Sequence, residues 1–425
     1  MFNLIKHFKN KELFVALYFL LFIVGFSIYS FSFYNELRVL EVFLLIGLGF
    51  YSLIQKKSYF SKYEFCFLIF TLLGFLFWSN YSYIFYELIL FYLLYKAFFN
   101  LNYNEFLSKL LIWLSFSIFL MLPIAITEFI LSGVYPNWYP MPWNIRVYNS
   151  YFLVLSIFAV WFYLKQEKFK NIYLIFLFLA FLSILLDGGR SATLAYSVFI
   201  ACVCIFNHAA RFKLLFTYVA TWLAYFSILF FSSHSASIVG SIVRESTSGR
   251  YELWVSAFQC WSQNPIFGCG FYQLDQYSGV ISAHPHNLFI QVLTETGLIG
   301  FGFLILVIWN ILKRIKWNLK ENYFVISAFI AVSIDLSFSG IHIYPVTQVA
   351  LLWLFVFLLK NPEFEHAASF HPSTYETSRV SQVFGYIAYI SIALAFIYLF
   401  LYTSALSESL PSTHPRFWEY GYQLF

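Results

Sequence analysis

The stretch from Leu214 to Phe231 reads LLFTYVATWLAYFSILFF, eighteen residues without a charge. A helix needs roughly 20 apolar residues to cross the hydrocarbon core of a bilayer. Behind it the sequence turns polar from Ser232 to Pro285, and a new apolar run opens at Leu288. Working outward, comparable runs precede it at Leu13–Phe33, Leu37–Ile54, Phe65–Trp78, Tyr83–Phe99, Leu110–Leu131, Tyr151–Leu164, Ile172–Leu186 and Ala192–Phe206. Others follow it at Leu288–Leu312, Tyr323–Ile341, Val346–Leu359 and Val383–Tyr402. The pattern predicts an all-α, polytopic integral membrane protein with about 12–13 transmembrane helices and one long outer loop.

Composition says the same. The 425 residues are 61% hydrophobic and only 11% charged, against about 25% charged in a soluble domain. Twenty-five basic and 20 acidic side chains cannot clothe a water-soluble fold of this size. A soluble enzyme, a disordered chain and a secreted disulfide scaffold are excluded. The expected organisation is about nine N-terminal helices over 1–231, the long loop with short helices over 232–286, C-terminal helices over 287–403 and a tail over 404–425.

The net charge of +5 points to membrane topology and predicts no nucleic-acid partner. With the N-terminus inside, Lys56, Lys57, Lys96, Lys109, Lys165, Arg211 and Lys313 all fall in inner loops, as the positive-inside bias requires. The exceptions are arginines on the outer side: Arg146, Arg190, Arg244 and Arg250. Arginine there works against the bias, and its planar fork suits phosphate. Arg190 follows Gly188-Gly189, and glycine permits close backbone approach to a ligand. Arg250 opens an amphipathic stretch, Tyr251–Trp261, whose Leu253, Trp254, Ala257, Phe258 and Trp261 recur at helical spacing.

His286 sits at the mouth of the next apolar helix, beside Asn287, where an imidazole can act as a general base. His284 completes an H-x-H pattern, but zinc needs three or more protein ligands and no suitably spaced set joins it, so no metal is expected. Glu295 lies further into the same run, where a carboxylate is costly and often functional. Asp335, Glu128 and Glu87 are read as structural partners, with a transporter-type proton relay as the alternative. Cys260 and Cys269 lie on the outer, oxidising side, where a disulfide is permitted; spacing leaves the pairing open.

From His286-Asn287 the sequence runs nine residues to Gly297-Leu298-Ile299-Gly300, an H-N-x9-G-x-x-G pattern. Arg250-x-x-x-Trp254, Pro265-x-x-Gly268-x-Gly270 and Gly189-Arg190-Ser191 accompany it. Over residues 187 to 302 this resembles the O-antigen ligase family, within the superfamily that also holds O-antigen polymerases and protein O-oligosaccharyltransferases. The resemblance implies a multi-pass protein of the bacterial inner membrane that moves a glycan from an undecaprenyl-diphosphate carrier to an acceptor hydroxyl at the periplasmic face. It implies no cofactor and no metal, inversion at the anomeric carbon, and lipid A–core as the acceptor of a ligase. A growing glycan would be the acceptor of a polymerase, and a serine or threonine that of a protein transferase. His286, Arg250 and Arg190 match the family's essential residues. Arg244, Trp254, His284, Asn287, Glu295 and Arg146 are the expected substrate contacts. A polysaccharide transporter or flippase is the reading from a different class.

Overall fold

The computed structural model describes residues 10–25, 33–54, 62–77, 81–141, 145–165, 169–232, 249–270, 273–274, 284–365 and 379–402. Among the described residues every regular element is helical. Helices α1 (Asn10–Val24), α2 (Phe33–Ile54), α3 (Lys62–Phe77), α4 (Tyr81–Asn100), α5 (Glu105–Ser115) and α6 (Leu122–Ser132) come first. They are followed by α7 (Ile145–Leu164), α8 (Asn171–Leu186), α9 (Arg190–Phe206) and α10 (His208–Phe231). Then come α11 (Arg250–Gln263), α12 (Leu288–Leu312), α13 (Leu319–Phe338), α14 (Pro345–Lys360) and α15 (Arg379–Tyr402). This is the all-α, multi-pass membrane architecture expected from the hydrophobic runs.

Among the described residues, seven helical segments are long and apolar enough to cross a membrane: Tyr34–Ile54, Glu105–Ser132, Ile145–Leu164, His208–Phe231, Leu288–Leu312, Leu319–Phe338 and Gln382–Leu401. Four further apolar helices are shorter, Tyr63–Gly74, Asn171–Leu186, Arg190–Phe206 and Pro345–Lys360. The expected 12–13 spans thus include runs that fold as helices of 10–17 residues. A 16-residue helix such as α8 is about 24 Å long, short of a hydrocarbon core of about 30 Å. The polar turn Asp187-Gly188-Gly189 is what cuts α8 from α9.

Two other runs are interrupted for local reasons. Leu110–Leu131 folds as α5, a 3-10 turn at Ile118–Met121, and α6. Pro123 sits in the first turn of α6; it has no N–H to give and its ring crowds the preceding turn, so the chain tightens and restarts. The first run, Leu13–Phe33, is helical only to Val24 and leaves the helix at Gly25, where φ is +70°. Residues 26–32, Arg244, much of the 232–286 loop and the 404–425 tail lie outside the described residues.

Helices α7 and α14 form the centre. The α7 span is 89% buried, whereas the α10 span is 22% buried and exposes Phe216, Leu223 and Phe230. Lipid tails are as apolar as these side chains, so such a face belongs against lipid. Around the centre, α7 packs on α8 and α14, α9 runs along α13, and α11 docks on α12.

The two ends of the bundle differ in chemistry. At one end Lys11 Nζ donates to Asn100 O (2.7 Å) and Lys360 Nζ to Phe99 O (3.2 Å). Both serve the last carbonyls of α4, which have no intrahelical donors. Lys165 joins them there, bridging Glu105 and Glu363. The opposite end gathers the starts of α7, α9, α12 and α14, and with them Arg146, Arg190, Arg250 and His286.

Candidate functional site

The loop ahead of α12 is built by its own side chains. Asn287 is the N-cap: its Oδ1 accepts from Phe289 N (2.9 Å) and Ile290 N (3.0 Å), which satisfies two otherwise orphaned amides. His286, one residue earlier, has φ +52° and is the one non-glycine with positive φ among the described residues. A left-handed conformation is costly for a residue with a Cβ and persists where the surroundings impose it. Here the His286 N–H donates to Nδ1 of the buried His284 (3.2 Å), and the two rings lie 4.2 Å apart edge to face. Trp254 Nε1 donates to Pro285 O (2.9 Å) and so ties α11 to this turn. Trp254, His284 and Asn287 therefore each use a polar atom to shape the loop that presents His286.

The glycines of the signature have a mechanical reason. Gly297, at φ +65° and ψ −164°, breaks the helical path inside α12. The opened backbone receives the Pro265–Gly270 segment: Leu298 N donates to Pro265 O (2.9 Å), and Cys269 N donates to Thr294 O (2.9 Å). Gly268 and Gly297 face each other so closely that a Cβ on Gly297 would lie 2.4 Å from Gly268 N. One turn on, Gly300 leaves room for the Thr296 side chain. A disulfide between Cys260 and Cys269, with Cα atoms 5.8 Å apart, fastens the end of α11 to the docked segment. The pairing that spacing left open is made.

Gly297→Ala is therefore expected to destabilise this docking by more than the roughly 1–3 kcal/mol of strained backbone alone. Thermal melting in detergent is the check, with the variant melting clearly below wild type.

Electrostatics join parts of the sequence that lie far apart. Arg250 is half-buried at the start of α11. Burial first, then the charges of Arg146 and Arg190, hold it below the usual guanidinium range, while Asp335 pulls it back up. His286 is pushed down to about 3, by burial first and then by Arg146, Arg250 and His342. Its imidazole is neutral at neutral pH and lies in the field of two cations, Arg146 and Arg250. Asp335 is fully buried near the end of α13. Its Oδ2 accepts from Ser150 of α7 (2.8 Å), and Ser191 of α9 also hydrogen-bonds it.

Of the residues singled out from sequence, Arg146, Arg190, Arg250 and His286 come together. Glu295 lies two turns below Asn287, where its carboxylate accepts from Gln291 Nε2 (3.3 Å). Sequence reasoning missed three members of the neighbourhood: Ser150, Gln291 and His342. His342 Nε2 meets Gln291 Oε1 at 2.9 Å, which gives the ring a place beside the signature helix. One signal for His342 was present, a histidine three residues before Pro345 between two apolar runs. Nothing local marked Ser150 or Gln291.

No curated protein matches the chain. The family model described as O-antigen ligase matches residues 174–306. That segment carries Arg190, Arg250, the docked Pro265–Gly270 segment, His286 and the kink at Gly297, while Arg146, Asp335 and His342 lie outside it. Over residues 174–306 the chain is similar to the O-antigen ligase family.

Proposed function

We propose that the protein transfers an oligo- or polysaccharide from undecaprenyl diphosphate to an acceptor hydroxyl, at the periplasmic face of the bacterial inner membrane, and that the acceptor is lipid A–core. The match of residues 174–306 to the O-antigen ligase family supports the reaction class. The observation that carries the reading is a neutral His286 in the field of Arg146 and Arg250, with Arg190 acting on Arg250 in turn.

The chemistry follows from charge. The leaving group is a lipid diphosphate, and negative charge grows on it as the anomeric C–O bond breaks. Three guanidinium groups held in place before the reaction stabilise that charge without reorganising. His286 takes the proton from the acceptor hydroxyl as its oxygen bonds to the anomeric carbon. Attack from the face opposite the departing diphosphate inverts that carbon.

The same arginines set the order of events. Without donor, burial and then the positive field of Arg146 and Arg250 keep the imidazole a weak base. A bound diphosphate neutralises that field and raises the basicity of His286, so the base strengthens once the donor is seated. Trp254, His284 and Asn287 act here as positioning residues, holding His286 in its unusual backbone conformation.

A deletion strain examined for lipopolysaccharide banding and for glycoproteins identifies the acceptor. The expected result is uncapped lipid A–core with carrier-linked polymer accumulating. Core bearing a single repeat unit would instead make the protein a polymerase. Altered glycoprotein mass with intact lipopolysaccharide would make it a protein transferase. Unchanged lipopolysaccharide and glycoproteins would overturn the reading.

A further inference from the structure

The arginines are not the only groups at this end of the bundle that suit an anion. Helix α9 begins at Arg190 behind Gly189, and no side chain caps it. Arg190 N bonds to Gly188 O and Thr193 N to Gly189 O. The amides of Ser191 and Ala192, between them, precede any carbonyl that the helix itself could offer. A 17-residue helix presents the positive end of its dipole here, the arrangement that binds phosphate in other folds.

A second observation is independent of the first. Asn149 on α7 is 3% exposed. Among the described residues, neither its Nδ2 nor its Oδ1 has a hydrogen-bond partner. Such an amide is costly to bury unpaired and calls for an explanation. It is aimed at the helix start: a Cβ built on Gly189 would meet Asn149 Nδ2 first, at 2.6 Å. Arg146 precedes it by one turn on α7, and its neighbour Ser150 is committed to Asp335. Thr193 Oγ1, on the first turn of α9, is also buried without a partner among the described residues.

We infer that Asn149 and the uncapped start of α9 form a phosphate cradle, with the Asn149 carboxamide donating to a phosphate oxygen of the lipid-linked diphosphate. The inference rests on the proposed transferase reading and adds a binding residue to it. Two carboxylates stand near the cradle. Asp335 is held by Ser150 and Ser191 and lies within the field of Arg250. Asp187 accepts a hydrogen bond from Tyr139, and burial raises it well above the usual carboxylate range, towards the neutral form. Arg146, Arg190 and Arg250 lie within one another's field at this end of the bundle and supply the positive charge that a doubly negative group calls for.

The test measures binding of farnesyl diphosphate and of inorganic pyrophosphate to the full-length protein in detergent by calorimetry. Wild type, Asn149→Ala and Asn149→Asp are compared. The aspartate keeps the shape of the side chain and reverses its interaction with an anion. Both variants are expected to bind farnesyl diphosphate at least about tenfold more weakly, a loss typical of a hydrogen bond to a charged group. The aspartate is expected to be the worse of the two. Pyrophosphate binding that falls in parallel supports a cradle reading the phosphate alone. Loss seen only with farnesyl diphosphate supports a cradle that needs the lipid-linked form. Should Asn149→Asp fail to fold, Asn149→Ala decides by the same comparison. Its ligand-induced rise in melting temperature provides a second readout. Folded variants that bind farnesyl diphosphate like wild type overturn the cradle and leave the transferase reading standing. Wild type that binds neither ligand overturns both.

Discussion

Replacing His286 by asparagine is expected to lower glycan transfer by about 10²–10⁴-fold, the range for loss of a general base, while the protein still folds and reaches the membrane. Asparagine is the informative choice because of the backbone. His286 has φ +52°, and asparagine is among the few non-glycine residues that accept the left-handed region readily. The N–H that donates to His284 Nδ1 is retained. What disappears is the imidazole, so the loss reports on proton transfer rather than on loop geometry.

The same group leaves a pH signature. An unperturbed imidazole titrates near pH 6.5, whereas His286 in the folded protein is pushed down to about 3. Between those limits the unfolded chain binds more protons than the folded one. Stability contributed by this site therefore rises with pH from about 3 to 6.5 and is lost as pH falls through that window. In His286→Asn that part of the acid dependence should vanish from a series of melting temperatures. Kinetics carry a companion effect: if donor binding neutralises the arginines, the acidic limb of kcat lies at higher pH than that of kcat/KM.

Arg250→Ala is expected to cost about 10²–10³ in transfer rate, the range for removing one charge-stabilising donor. Arg250→Lys should recover only part of it, because the ammonium keeps the charge and lacks the bidentate fork. The stability outcome runs the other way. Arg250 is half-buried and repelled by Arg146 and Arg190, so removing it relieves like-charge crowding. The alanine variant should melt at the wild-type temperature or above it. Lower activity with equal or higher stability is the mark of a group kept for function. A variant that loses activity only because it unfolds would show the opposite.

Much of this protein was legible before any coordinates. Runs such as Leu214–Phe231 announced the membrane fold, because a bilayer demands long apolar helices. The arginines expected on the outer side stood out because the charge bias disfavours them there; Arg146 and Arg250 act on His286, and Arg190 acts on Arg250. Spans were harder to count, since a run of apolar letters does not reveal where Pro123 or Asp187-Gly188-Gly189 will end a helix. The partnership of Ser150 with Asp335 crosses 185 residues, and that of His342 with Gln291 crosses 51. Such pairings are made by helix packing and leave no local trace. The glycines of the signature were visible as a pattern. Their reason, a kink at Gly297 into which Gly268 docks, required the fold. Asn149 was not visible at all, being one polar residue in a buried helix whose meaning comes from the helix start it faces.

The most direct measurement of the central claim is transfer by the purified protein, supplied in detergent with an undecaprenyl-diphosphate-linked glycan and lipid A–core. The expected result is glycan on the core with one undecaprenyl diphosphate released per transfer, and loss of both products in His286→Asn and Arg250→Ala. Undiminished transfer in the two variants, or no transfer by wild type to core, glycan or protein acceptors, would contradict it.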